Sequence, residues 1–178
     1  MQNVTVFCAS SPYGEKAQEY LESAYRFGRL LAENGFMCVN GGAWGLMKAV
    51  SQGAHEAGGN VHCVNVDVWG MDHQFYTTFE NFAVFSDRQK RLIELGDAYV
   101  ALPGGPGTHF EIFEVLVGKQ IGLVLSEKPV LCVGETYIPL KVLLEGMVAQ
   151  GLAKPETLSY ITFVTSPEEA IDILCKMR

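Results

Sequence analysis

The sequence predicts an α/β fold: a doubly wound parallel sheet covered by helices on both faces, in a Rossmann-like three-layer sandwich. Short, continuous apolar runs alternate with longer amphipathic segments, and strands that are apolar throughout are typical of parallel sheets buried on both faces. Glycine-rich turns directly follow two of the apolar runs. Because no linker, repeat or low-complexity stretch interrupts this alternation, we expect one domain over residues 1–178.

The amino-terminal half is predicted to contain three strands and two helices. The strands are the apolar runs 4–8, 36–39 and 61–66. A helix over about 15–34 is predicted because its apolar side chains recur at three- and four-residue spacing, and Gly35 marks its end. A second helix over 46–57 follows a glycine turn and stops at a glycine pair.

The carboxy-terminal half continues the alternation after one irregular stretch. Residues 67–85 have no clean period but carry many aromatic side chains, which we expect to lie in the core; a flap that stacks on a base is the alternative. Ser166 is expected to cap the last helix, which starts at Pro167. The other predicted elements are helix 87–95, strand 98–102, helix 111–125, strand 129–133, helix 139–150 and strand 161–164.

Composition narrows the class of protein. With 178 residues, 48% of them hydrophobic and 19% charged, the chain can bury a substantial core. A net charge of −7 argues against a nucleic-acid-binding surface. No apolar stretch approaches the length of a membrane span, and no targeting segment is recognisable. The five cysteines are scattered, without a C-x-x-C pair, so we expect reduced thiols in a cytoplasmic protein and no metal site.

The run from Pro103 to Glu111 is the strongest functional signal. It joins an apolar strand to a helix and contains Gly104, Gly105, Gly107 and Thr108. A strand, a glycine turn and a helix start form the arrangement that holds a phosphate on backbone N–H groups. Thr108 is expected to cap the helix and to offer its hydroxyl. Glu111 follows about one turn later, so a carboxylate is predicted beside the anion site.

Two further turns are expected to converge on the same site. One contains Ser10 and Ser11, and the other contains Gly41, Gly42 and Gly45. Both follow predicted strands, and in a doubly wound sheet ligands bind beyond the carboxyl ends of the strands. The second turn lacks the spacing of a dinucleotide fingerprint, and no lysine follows the first motif as it would in a P-loop.

Other polar residues leave their roles open. Arg88 begins a segment of mixed polarity, and nothing in its spacing sets it above Lys90 and Arg91, for which a solvated helix face is the preferred interpretation. His109 lies in the first helical turn, where it could contact phosphate or serve as a local packing residue. Glu114 could be a rim or subunit contact, and Glu111 is the better candidate acid because it is closer to the glycine turn.

The helix after the motif also predicts an oligomer. Its apolar residues cover nearly the whole circumference, from Phe110 to Ile121. A helix that is apolar all round is buried on all sides. One layer over a sheet would leave one side in water, so we expect a homodimer in which a second subunit covers that side.

These residues resemble one family, the LOG ("lonely guy") proteins, long mislabelled as lysine decarboxylases. The motif Pro103-Gly104-Gly105-x-Gly107-Thr108-x-x-Glu111 matches their signature. Cys8-Ala9-Ser10-Ser11 resembles their first turn, and Gly41-Gly42-x-x-Gly45-Leu46-Met47 their second. Arg88, fifteen residues before Pro103, falls where the family has its functional arginine. The chain departs from the family pattern at several positions, among them Gln89, where the family has lysine, and Phe110, where it has an acidic residue.

The resemblance implies a cytokinin riboside 5′-monophosphate phosphoribohydrolase that releases base and ribose 5-phosphate from an N6-modified AMP. It implies Arg88 and Glu111 as the catalytic pair, no metal or other cofactor, and a homodimer. Ser10, Ser11, Met47, both glycine turns and Thr108 would hold the ribose phosphate. The alternatives are a non-catalytic carrier of a nucleotide or molybdenum cofactor on the same fold, and a regulatory nucleotide sensor. Lysine decarboxylase activity is disfavoured because no lysine stands in a cofactor-anchoring context.

Overall fold

The computed structural model describes residues 2–67 and 73–177. Strands and helices alternate through this part of the chain. The strands are β1 (Asn3–Phe7), β2 (Met37–Asn40), β3 (Val61–Val66), β4 (Thr78–Phe82), β5 (Ala98–Ala101), β6 (Val130–Val133) and β7 (Thr162–Val164). The α-helices are α1 (Ala17–Glu33), α2 (Leu46–Glu56), α3 (Phe85–Leu95), α4 (Pro106–Gln120), α5 (Ile138–Ala149) and α6 (Pro167–Lys176).

All of these strands pair in parallel in one sheet, in the order β4-β3-β2-β1-β5-β6-β7. The chain starts in the middle of the sheet, winds outward to β4, and then returns to the other side of β1 with β5. The winding direction therefore reverses between β1 and β5. Ligands bind at such a reversal point in doubly wound sheets. The predicted fold class is confirmed, and the sheet order directs attention to the loops after β1 and β5.

Helices cover both faces of the sheet because the strands are apolar on both sides. On one face, Val4 and Val6 of β1 belong to a core cluster that includes buried residues of α1, α2 and α6. On the other face, Phe7 and Tyr99 pack with buried residues of α4 and α5. A smaller cluster places Leu92 of α3 against Val39 and Val64. Because successive side chains of a strand point to opposite faces, the core is divided into one part on each side of the sheet, between the strands and the helices that cover them.

The stretch 67–85, predicted to be irregular, contains β4 at the edge of the sheet. β4 was not predicted because an edge strand is only partly covered, and its sequence therefore mixes apolar and polar residues. Phe79 is 54% exposed and Phe85 46% exposed, so the expected burial of the aromatic side chains is wrong for these two. The predicted aromatic stretch also includes Trp69, which lies outside the described residues.

Most helix limits fall within two residues of the prediction, with one exception that matters for the site. Helix α4 starts at Pro106 rather than at Glu111, and it ends at Gln120. The predicted cap of α6 is confirmed, since Ser166 Oγ accepts a hydrogen bond from the backbone N–H of Glu169 at 3.2 Å. Within residues 2–67 and 73–177, no helix has both the length and the hydropathy needed to cross a bilayer.

Candidate active site

A cavity of about 460 Å³ opens at the carboxyl ends of β1 and β5. This volume lies within the range of roughly 300–1,000 Å³ that is typical of small-molecule sites. Its walls come from the loop after β1, the loop after β5, the first turn of α4 and the start of α3. The polar and charged residues that line it are Ser10, Ser11, Arg88, Gln89, Thr108, Glu111 and Thr136.

One wall consists of the glycine turn and the first turn of α4. Gly105 is the residue before the helix, and the N–H of His109 donates back to its carbonyl at 3.1 Å. The N–H groups of Gly107 and Thr108 precede that bond, so they have no acceptor within the helix. A Cβ built on Gly105 or Gly107 would meet no atom within 4 Å. The space above these residues is therefore open to a ligand, and the helix start presents donors to an anion.

Thr108 does not cap α4 as expected. The helix begins two residues earlier, where Pro106 suits the first helical position, so Thr108 lies inside the first turn and is 3% exposed. Its Oγ1 packs where a Cβ on Gly104 would come within 2.1 Å of it. Thr108 thus fixes the turn by packing against Gly104, and it also lines the cavity.

His109 takes the packing role left open by the sequence. Its Nδ1 lies 2.9 Å from the carbonyl oxygen of Gly105, and its ring centroid lies 5.7 Å from that of Tyr137. Tyr137 is buried and donates its hydroxyl to the carbonyl of Leu102 at 2.6 Å. These contacts hold the end of β5 and the start of α4 together behind the cavity wall.

The opposite wall carries a buried ion pair between Arg88 and Glu111. Arg88 Nη1 lies 3.0 Å from Glu111 Oε1, and the two side chains are only 3% and 14% exposed. Arg88 Nε also donates to the carbonyl of Val64 in β3 at 2.9 Å. Arg88 reaches this position because it shares the buried side of α3 with Leu92, one turn later. The structure therefore brings together two residues that lie 23 positions apart in the sequence.

Opposing influences act on the carboxyl group of Glu111. Burial raises its pKa above the ordinary value, while the charge and hydrogen bond of Arg88 lower it. The negative charge of Glu114 raises it further, and a hydrogen bond from Gln89 lowers it. Burial has the largest effect, so the net pKa is raised. A carboxylate in this state accepts a proton more readily than one in water.

Gln89 and Glu114 extend the ion pair, and neither was predicted as a site residue. Gln89 is 2% exposed, accepts a hydrogen bond from Arg88 Nη1, and donates from Nε2 to Glu114 Oε2 at 3.2 Å. A usable signal was present in the sequence, because Arg88 and Gln89 stand four and three positions before Leu92 on the apolar side of the helix. Polar residues at such positions must find partners in the interior.

Ser10, Ser11 and Met47 line the cavity as predicted neighbours of the glycine motif. Ser10 and Ser11 lie in the loop after β1, and the backbone N–H of Ala9, just before them, donates to the carbonyl of Pro103 at 3.1 Å. That bond ties the loops after β1 and β5 together. Ser10, Ser11 and the start of α4 therefore line one shared cavity.

Gly41, Gly42 and Gly45 occupy a supporting position instead of lining the cavity. The N–H of Gly42 donates to Asn40 Oδ1 at 2.9 Å, so this amide is already bound within the protein. A Cβ on Gly41 would lie 1.8 Å from Arg88 Nη2, and one on Gly45 would lie 2.4 Å from the carbonyl oxygen of Ser10. This turn thus packs closely against Arg88 and Ser10, which line the cavity, and its contact with phosphate stays a prediction.

Two aromatic side chains stand near the mouth of the cavity. Phe85 lines it, and its ring centroid lies 6.2 Å from that of Phe110. The two rings are 46% and 49% exposed. Aromatic faces of this kind are suited to stacking against a planar base. In the described part of the chain, no group of three or more His, Cys, Asp or Glu side chains is arranged to hold a metal ion.

Comparison with known proteins places this chain in a family. The family model described as "Possible lysine decarboxylase" matches residues 47–174. A relative from Rhodococcoides fascians, named cytokinin riboside 5′-monophosphate phosphoribohydrolase, is 33% identical over 96% of this chain and 87% of its own length. A relative of the same name from Arabidopsis thaliana, LOG5, is 34% identical over 93% of this chain and 73% of its own.

Solved structures share the fold. The X-ray structure of TM1055 is 25% identical, with a TM-score of 0.78, and each chain covers 99% of the other. The molybdenum cofactor binding protein of Rippkaea orientalis is 19% identical with a TM-score of 0.75, covering 99% of this chain and 96% of its own; that likeness concerns the fold alone. The match to the family model and the identity to curated relatives over nearly the whole chain show that this protein belongs to the LOG family, whose model keeps the description of a possible lysine decarboxylase.

Proposed function

We propose that this protein is a nucleoside 5′-monophosphate phosphoribohydrolase that cleaves the N-glycosidic bond of AMP or an N6-modified AMP. The products are the free base and ribose 5-phosphate. The observation that carries the proposal is the buried Arg88–Glu111 pair, which lies on the wall of the same cavity as an anion-binding helix start. The curated relatives act, by name, on cytokinin riboside 5′-monophosphates. A carrier would need the helix start but not the buried pair.

The phosphate of the substrate binds at the start of α4. The N–H groups of Gly105, Gly107 and Thr108 and the positive end of the helix dipole stabilise its charge. The open space above Gly105 and Gly107 supports this placement. Ser10 and Ser11 line the same cavity from the loop after β1, and their hydroxyls supply further donors to the phosphate. Met47 also lines the cavity, and the turn of Gly41, Gly42 and Gly45 packs against residues of its lining.

The ribose then lies near Glu111, one turn along α4. Cleavage of a glycosidic bond passes through an oxocarbenium-like state, in which positive charge develops on the sugar. The Glu111 carboxylate stabilises that charge or takes the proton of the attacking water, and its raised pKa suits proton transfer. Arg88 holds this carboxylate through its 3.0 Å contact and balances negative charge as the base departs.

The base lies toward the mouth of the cavity, where Phe85 and Phe110 offer their rings. Stacking on an aromatic side chain contributes about 1–3 kcal/mol per base. This position leaves the edge of the purine that carries N6 directed away from the phosphate end of the site. The rim is therefore the part of the cavity that selects between plain and N6-modified adenine.

The active form is a homodimer, and the support for it is the exposed apolar side of α4. Val117 and Ile121 are 48% and 65% exposed in the single chain. The opposite side of α4, which faces the sheet, is well packed. The neighbouring helix α5 adds the exposed side chains Ile138, Val142 and Leu143. Exposed apolar residues that cluster on one surface mark an interaction site. A second copy of the chain covers this surface with the same residues, as a twofold dimer requires.

We also propose a single domain over the whole chain and a cytoplasmic location. The strands from β1 to β7 belong to one sheet, which supports the single domain. The cysteines are free, and four of them are buried, as expected of thiols in a reducing compartment.

Incubation of the purified protein with AMP and with isopentenyl-AMP, followed by chromatography for free base, tests the activity. We expect base release that falls by about a hundredfold or more in Glu111→Gln, because the variant keeps the shape of the side chain but loses its charge. Glu33→Gln is the matched control, since it removes an exposed carboxylate that pairs with Arg29 at 3.0 Å on α1.

Each outcome separates the candidate functions. Release of base by the wild type and by Glu33→Gln, but not by Glu111→Gln, supports the hydrolase. Tight binding of nucleotide without release from either substrate would overturn it in favour of a carrier or sensor. Wild-type activity in Glu111→Gln would remove Glu111 from the mechanism.

A further inference from the structure

We propose that Gln89 is a positioning residue that links Glu114 to the Arg88–Glu111 pair and so orients the Glu111 carboxylate toward the ribose. This inference rests on the hydrolase function proposed above and deepens it. Gln89 lines the cavity and is buried, and its side-chain amide contacts both Arg88 and Glu114.

The orientation of the Gln89 amide follows from the chemistry of its neighbours. A guanidinium group only donates hydrogen bonds, and an ionised carboxylate only accepts them. The amide oxygen must therefore face Arg88, and the amide nitrogen must face Glu114. This is the arrangement found, with Nε2 of Gln89 3.2 Å from Glu114 Oε2. Among side chains without an ionisable group, glutamine alone has this length together with an acceptor and a donor at its end.

The network fixes Arg88 from two sides. Its Nε donates to the carbonyl of Val64 at 2.9 Å, and its Nη1 donates both to Gln89 Oε1 and to Glu111 Oε1. Because Gln89 is itself held by Glu114, the guanidinium plane has little freedom to rotate. Glu114 is half-buried and lies one turn after Glu111 on α4. The Glu111 carboxylate therefore meets an arginine whose orientation is set before substrate binds.

The charges around Glu111 make the role of Gln89 measurable. Arg88 on α3 is positive and Glu114 on α4 is negative, while Cys8 after β1 and Tyr137 before α5 also face Glu111. Burial raises the pKa of the Cys8 thiol and of the Tyr137 hydroxyl, so both are neutral at physiological pH. The hydrogen bond of Gln89 lowers the pKa of Glu111, whereas the charge of Glu114 raises it. Removing Gln89 should therefore raise the pKa of Glu111, and removing the charge of Glu114 should lower it.

Two substitutions separate the effect of the Gln89 hydrogen bonds from the effect of the Glu114 charge. Gln89→Met keeps the length of the side chain and removes its hydrogen bonds with Arg88, Glu114 and Glu111. Glu114→Gln keeps an acceptor for Gln89 Nε2 and removes only the negative charge. The matched control is Gln52→Met, which breaks an exposed bond of the same chemistry, from Gln52 Nε2 to Glu56 Oε1 at 2.8 Å.

The first readout is the pH profile of base release from AMP. We expect kcat to fall on the order of a hundredfold in Gln89→Met with little change in KM, because a misplaced catalytic group costs rate without weakening phosphate binding. The acidic limb of the pH profile of Gln89→Met moves to higher pH. In Glu114→Gln the acidic limb moves to lower pH, because the charge that raises the pKa of Glu111 is removed. Gln52→Met changes neither.

The second readout is a carbon-13 NMR titration of the Glu111 carboxyl, which does not depend on turnover. It should give a higher pKa than wild type in Gln89→Met and a lower pKa in Glu114→Gln. If the wild type released no base, the proposed function would fail, and this titration would still decide the positioning role. An unchanged or lower pKa of Glu111 in Gln89→Met would overturn the proposal. If Gln89→Met does not fold, Gln89→Asn tests the same role, because its amide is one methylene shorter and cannot reach Arg88 and Glu114 together; an unchanged pKa of Glu111 in that variant would likewise overturn the proposal.

Discussion

Gly41→Ala is expected to inactivate the protein by moving Arg88. A Cβ on Gly41 would lie 1.8 Å from Arg88 Nη2 and 3.1 Å from both Arg88 Cζ and Met47 Sδ. Ordinary contact begins near 3.4 Å, so the guanidinium must retreat by 3.4 minus 1.8, or about 1.6 Å. The Arg88–Glu111 hydrogen bond is 3.0 Å long, and a displacement of this size takes it beyond hydrogen-bonding distance. Gly41 has no positive φ, so the effect is purely steric.

The size of the loss follows from the role of the pair. Misplacement of a catalytic group by about 1 Å can cost on the order of 10²-fold in rate. We therefore expect base release by Gly41→Ala to fall by at least that factor, measured under saturating AMP. Gly146→Ala is the control, because a Cβ there has only the end of the Gln150 side chain near it, at 3.9 Å. It should keep full activity and gain up to about 1 kcal/mol of stability, as a helical glycine replaced by alanine does.

A double-mutant cycle identifies the collision as the cause. Lysine at position 88 has no Nη2 atom, so Gly41→Ala introduced into Arg88→Lys should cost much less than it does in the wild type. Equal costs in the two backgrounds would refute the steric explanation. Wild-type activity of Gly41→Ala would refute the importance of the Arg88 position itself.

Three further predictions concern stability, pH and assembly. Lys119→Met should lower the free energy of unfolding by about 3 kcal/mol in urea titrations, because the buried ammonium donates to the carbonyls of Ser126, Lys128 and Tyr160; an unchanged midpoint would contradict this role. The pKa of Glu111 is raised above its ordinary 4.5, so between that value and the folded-state pKa the folded protein holds a proton that the unfolded chain has released. Wild-type stability therefore falls as pH rises through this interval, and Glu111→Gln should lack this part of the fall in thermal scans. Val117→Lys places a charge on the exposed apolar side of α4 and should yield monomers in analytical ultracentrifugation, while Gln18→Lys on α1 should sediment like the wild type.

The fold was predictable because its signal is local. Buried parallel strands such as β1 and β5 are continuous apolar runs, and each is followed by a turn and a helix. β4 escaped prediction since its residues alternate between partly covered and exposed positions at the sheet edge. The start of α4 was misplaced because glycine and proline were interpreted as turn residues, although Pro106 begins the helix.

The site was only partly predictable because its central contacts are not local. The glycine motif and Glu111 stand together in the sequence, but Arg88 lies 23 residues from Glu111 and was singled out by family resemblance alone. Gln89 and Glu114 were missed, since Gln89 follows Arg88 in a helical segment of mixed polarity and Glu114 was interpreted as a rim or subunit contact. Burial distinguishes them, and burial depends on how α3 and α4 approach each other over the sheet.

The bond from Arg88 Nε to the carbonyl of Val64 has a consequence for how the protein loses activity on heating. It ties the arginine to β3, whereas Glu111 belongs to the helix that follows β5, and the sheet order places β2 and β1 between those strands. Three interstrand steps of about 4.8 Å each thus set the separation of the two anchors. The distance between the charges is governed by the sheet and not by the loops around the cavity. Heat inactivation should therefore coincide with the loss of the sheet measured by circular dichroism, with no earlier, softened and inactive stage.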